Sequence, residues 1–91
     1  MTSNGGWLEI DGERVVQGLQ AARETLDSAQ RDVVLDFSSV RRIDPSALRA
    51  MEKLAGIADE KAVKVVLRGV NVDIYKVLKL VKLTSRFSFL A

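Results

Sequence analysis

The spacing of apolar residues along the chain changes period several times, and each change marks an element. Trp7-Leu8-Glu9-Ile10 alternates like a short strand. Val15, Leu19, Ala22 and Leu26 then recur at helical intervals, which predicts an amphipathic helix from about Glu13 to Asp27. Val33-Val34-Leu35 is a continuous apolar run ending in Asp36-Phe37, the pattern of a strand covered on both faces. Leu48, Met51, Leu54, Ala55 and Ala58 mark a second helix, and Val63, Val65, Val66 and Leu67 a further buried strand closed by Gly69. Asn71 is placed to cap a third helix with Ile74, Val77, Leu78 and Val81 on its inner face. Phe87 and Phe89 alternate with serine in a brief last strand. Strands alternating with helices predict an α/β fold: a small single domain whose central sheet, of about four strands and largely parallel or mixed, is flanked by helices. Residues 1–6 are expected to be a flexible lead and 7–91 the domain.

Size and composition narrow the function. A chain of 91 residues buries only ~60–65% of the surface its unfolded form exposes, so nearly every apolar side chain serves one core and little remains for a deep substrate cavity. There is no cysteine and no histidine. Disulfides, thiolate metal sites and cysteine nucleophiles are therefore excluded, and the commonest general base is missing. No run reaches a membrane span and the start lacks the basic and apolar regions of a signal peptide, so a cytoplasmic, soluble protein is expected.

The formal charge of +2 divides unevenly: residues 1–45 carry eight acids against five bases, and 46–91 four acids against nine bases. Lys76, Lys79 and Lys82 form a loose stripe on the third helix. A nucleic-acid groove would add stacking aromatics or an arginine patch. Only Tyr75 is nearby, so the stripe reads as a solvated face and no nucleic-acid partner is expected.

The segment VVLDFSSVRRIDPSALRAMEKL holds the chain's one proline, where a loop meets the second helix. Asp44 suits the N-cap, since its carboxylate accepts a first-turn amide and its charge complements the helix dipole. Pro45 suits the first helical position, where its fixed φ fits and its missing N–H costs nothing. Proline also pushes the preceding residue out of the α region, as a cap requires.

From about Trp7 to Leu90 the chain resembles the STAS domain of bacterial anti-sigma factor antagonists and sulfate-transporter tails. The stretches that carry the resemblance are VVLDFSSVRRID, DPSALRAMEKL, VVLRGVN and IYKVLKLVKL. In the antagonists, a serine directly after the loop aspartate is phosphorylated by an anti-sigma factor kinase, and the added charge breaks the complex. Here Pro45 follows Asp44, and proline has no hydroxyl. Ser46 is the nearest candidate phosphoacceptor, but one helical step turns it about 100° from the family's position. Ala47 stands where the family often has glycine, and Asp36 matches an acidic position common in the family. LRGVNVDIYKVLKLVKL also resembles the STAS subunit of bacterial phospholipid-transport ABC complexes, which binds the ATPase subunit and carries threonine after the aspartate.

The resemblance implies a non-enzymatic protein-binding module that regulates transcription as an anti-sigma factor antagonist and lacks the usual phosphoacceptor. The alternative is a regulatory subunit on a transporter ATPase. Partner contacts are expected at Asp36, Ser38, Ser39, Asp44, Pro45, Ser46 and Arg49, with no catalytic residue, metal or cofactor. A different class, a small enzyme holding a metal between Asp36 and Asp44, lacks a nucleophile-base pair or phosphate loop to accompany it. Many STAS domains begin with a two-stranded hairpin, whereas this chain has room for one strand before the first helix. An open edge at Trp7–Ile10 is therefore expected, suited to a homodimer or partner contact.

Overall fold

The computed structural model describes residues 6–28 and 32–90. Four strands alternate with three helices: β1 (Gly6–Glu9), α1 (Val15–Ser28), β2 (Val33–Asp36), α2 (Pro45–Lys61), β3 (Val65–Arg68), α3 (Val72–Leu80) and β4 (Ser88–Leu90). Of the stretch expected to be a flexible lead, residues 1–5 lie outside the described residues, and Gly6 already belongs to β1.

The strands pair in chain order, β1-β2-β3-β4, and every pairing is parallel. The register aligns Leu8, Leu35, Leu67 and Phe89 in one row and Trp7, Val34, Val66 and Ser88 in the next. Successive residues of a strand face opposite sides, so these rows belong to opposite faces. Sequential order with crossovers of a single hand places all three helices on one side. The core reflects this. Leu35 and Leu67 are fully enclosed with Leu19 and Leu26 of α1, Met51 and Leu54 of α2, and Ile74 and Leu78 of α3, with Leu8 and Phe89 packed against them.

Trp7 and Val34 stand outside that core, as does Val66, although Val66 is itself buried. The continuous apolar run of β2 predicted cover on both faces, but Val34 is only half-buried and Trp7 is 58% exposed. The missing cover has a topological cause: a second helical layer requires a reversal of strand order, and this sheet has none. Arg68 compensates in part, reaching across β2 to set its guanidinium 5.6 Å from the centre of the Trp7 ring, a cation–π contact.

Helix boundaries follow local chemistry. At the end of α2, Ala62 takes the left-handed conformation (φ 56°) while Val63 N–H donates to Ala58 O at 3.0 Å, a Schellman-type stop without its usual glycine. At the start of α1, Asp11 forms a turn in which its carboxylate accepts the Glu13 amide at 2.9 Å. The helix consequently begins at Val15 instead of Glu13. α3 stops at Leu80, and Lys82 takes φ 64°. This corrects two expectations: Val81 is exposed instead of inward, and Lys82 leaves the helical stripe of Lys76 and Lys79.

Candidate functional site

The loop from Phe37 to Ile43 leaves the carboxyl end of β2 and is held from several sides. Phe37 and Val40 are buried anchors. Asp36, 9% exposed, turns its Oδ1 back to accept both the Ser38 amide at 2.9 Å and the Ser38 hydroxyl. Its Oδ2 lies 3.4 Å from Arg68 Nη1. The Ser38 hydroxyl and then the Ser38 amide hold the Asp36 carboxyl below its ordinary value of 3.8, burial opposes them less strongly, and the Arg68 charge adds the smallest lowering effect.

Two glycines let neighbouring loops press on this one. A Cβ on Gly12 would stand 2.1 Å from the Ser39 carbonyl oxygen, and one on Gly69 (φ +73°) would stand 2.4 Å from Ser38 Oγ. From α3, Asn71 Nδ2 donates to the Val40 and Arg41 carbonyls at 3.3 and 3.2 Å. The loop is thus clamped between the β1–α1 and β3–α3 turns.

The loop delivers the chain to α2 in a fixed direction. Asp44 is extended (φ −99°, ψ 172°) and its Oδ1 accepts the Ala47 amide at 2.8 Å. Pro45 occupies the first turn, and Asp44, Pro45 and Ser46 are all exposed while Ala47 is buried. Ser39, Arg41 and Arg42 flank this start on the solvent side, and together with Asp11 and Glu13 they line an open hollow of about 500 Å³. The result is a rigid rim of mixed charge.

The expected site residues do not all share that rim. Ser39, Asp44, Pro45 and Ser46 are all exposed, and Ser46 stands where the rim meets the groove between α1 and α2. Asp36 is turned inward, and the hydroxyl of Ser38 is bonded to it, so these two hold the loop's shape. Arg49 lies one turn along α2 and lines a separate groove against α1. The two aspartates proposed for a metal face different partners: Asp36 binds Ser38 and Arg68, and Asp44 caps α2. Among the described residues no three carboxylates cluster as metal ligands.

Sequence reasoning passed over Gly12 and Arg68, and treated Asn71 as a cap alone. The Asp11-Gly12 pair signalled a turn. Nothing local signalled what the turn would touch.

Residues 7–88 match a family model described as "Mlab, STAS domain". The chain belongs to the STAS family. Among solved structures it is similar to a sulfate transporter family protein from Wolinella succinogenes, with a TM-score of 0.77 and 18% identity over 98% of this chain and 79% of that one. It is also similar to a protein described as an anti-sigma factor antagonist from Thermotoga maritima, with a TM-score of 0.66 and 17% identity over 98% of this chain and 74% of that one. At such identities the two likenesses establish the shared STAS fold. No curated protein sequence matches the chain. Among the described residues, no helix is long and apolar enough to cross a membrane.

Proposed function

We propose that this STAS domain is a non-enzymatic regulatory module that docks a protein partner on the rim formed by Ser39, Arg42, Asp44 and Pro45. The observation that carries the reading is the clamped loop: backbone fixed before binding lowers the ordering cost of association. Catalysis has little to work with, since Asp36 is engaged by Ser38 and Arg68 and no nucleophile is paired with a base at the rim. With proline after Asp44, docking is constitutive at the position where the family's switch would act.

The partner class we favour is the ATPase subunit of a transporter. The family match and the stretch from Leu67 to Leu83 support it over the first expectation from the sequence, an anti-sigma factor of the kinase type. The fold shared with an anti-sigma factor antagonist keeps that second reading in view. Co-expression with each partner class, followed by gel filtration, tests both. A stoichiometric complex with the ATPase, lost in Ser39→Lys/Arg42→Glu, is the expected result. A complex with the anti-sigma factor instead selects the second reading, and a complex indifferent to the two substitutions removes the rim from the interface.

A homodimer through β1 is a separate proposal. Among the described residues β1 pairs with β2 alone, and Trp7 is exposed beside that free edge. Sedimentation as a strict monomer at high concentration would exclude it.

A further inference from the structure

A groove of about 230 Å³ runs between α1 and α2, starting at Ser46 beside the loop rim and leading away from it along α2. Its floor is apolar, formed by Val16, Leu19, Ala50 and Leu54. Its walls carry Arg23 from α1 and Arg49 and Lys53 from α2. No carboxylate lines it. Among the described residues none of these three cations has an ion-pair partner, whereas at the far end of the same two helices Lys61 is matched by Asp27 at 3.7 Å. Unpaired cations above an apolar floor are complementary to a ligand that carries acids beside an apolar stripe.

We propose that this groove takes an acidic amphipathic helix of a protein partner. The volume is below the roughly 300–1,000 Å³ of small-molecule sites, and the groove is an open strip instead of a closed chamber. From Ser46 to Leu54 the strip is about 12 Å long at 1.5 Å per residue, two turns of a helix laid alongside. A helix packing over a helix pair sets one apolar ridge into the groove between them. Its i, i+3, i+4 and i+7 positions would meet the floor, and glutamates or aspartates on either side would meet Arg23, Arg49 and Lys53. Arg23 and Lys53 belong to no part of the loop rim, so this surface does not depend on docking there.

The test uses the whole chain and a synthetic four-turn amphipathic helix with leucines at those positions and glutamates on both flanks. Its controls are a scrambled peptide of the same composition and vesicles of phosphatidylglycerol. The expected result is binding of the helix, weakening with added salt, with NMR shifts centred on Leu19, Ala50 and Leu54. Arg23→Glu/Lys53→Glu should weaken it by about tenfold or more. Ala50→Gln, which fills the floor and leaves the charges in place, should weaken it as well and covers the case in which the double variant folds poorly. The proposal is overturned if the scrambled peptide binds equally, if both variants bind as the parent does, or if the shifts fall elsewhere. Loss of vesicle binding in the double variant, with no binding of the helix by the parent, would also overturn it in favour of a lipid surface.

Discussion

Asp44 and Asn71 hold equivalent places at the starts of α2 and α3. Each has extended backbone, and each accepts the amide three residues on at 2.8 Å. Their remaining atoms separate them. The amide nitrogen of Asn71 reaches two carbonyls of the preceding loop, so that cap also fastens β3–α3 to β2–α2. The carboxylate of Asp44 has no donor to offer, and among the described residues it makes no further hydrogen bond or ion pair. One cap is a fastening and the other is a free rim, which is where a partner can reach. The same local motif thus fastens a loop in one place and leaves an exposed rim in the other, the rim proposed above for docking, according to the hydrogens left over after capping.

Breaking the clamp should reveal this difference in stability. The largest effect is expected from Gly12→Ala, whose Cβ would collide with the backbone oxygen of Ser39; a loss of about 3 kcal/mol is expected in urea denaturation. Asn71→Ala removes the cap and leaves the Val40 and Arg41 carbonyls without their donor, which should cost about 2 kcal/mol. Asn71→Asp retains the cap but sets a carboxylate oxygen against the Val40 and Arg41 carbonyls in place of the donor, so at least half of that loss should remain. Asp44→Ala is expected to cost about 1 kcal/mol and Asp44→Asn only a few tenths. Equal losses for Asn71→Ala and Asp44→Ala would erase the distinction between fastening and rim.

A smaller effect depends on pH. The folded Asp36 carboxyl lies below 3.8, so its contribution is complete above that value and is lost as pH falls through the lower folded value. The stability gap between the parent and Asp36→Asn should therefore be open at neutral pH and close in acid below 3.8, followed by thermal melts across that range. A gap that stays constant into acid would mean that the Ser38 bonds do not depend on the carboxylate charge.

Much of this molecule was legible from neighbouring residues. The order of elements, the Asp44-Pro45 start, the Asn71 cap and the turn at Gly69 all follow from interactions that span a few positions. Helix ends were less so: α2 stops at Ala62 in a left-handed conformation that alanine does not advertise. At the candidate site, the exposure of Pro45 and Ser46 matched their place on a helix start, whereas Ser38 and Asp36 turned to each other and Arg49 turned to α1.

The amino-acid sequence by itself determined the alternation of strands and helices and the positions of both caps, because hydrophobic period and capping are settled within a turn or two of chain. Only the tertiary structure decided which face of the sheet goes without a helical layer, that Gly12 and Gly69 press on one loop, and that Arg23 faces Arg49 and Lys53 across a groove. Those relations join residues far apart in the chain, and they arise from strand register and the common side taken by the crossovers, which no short stretch of residues encodes.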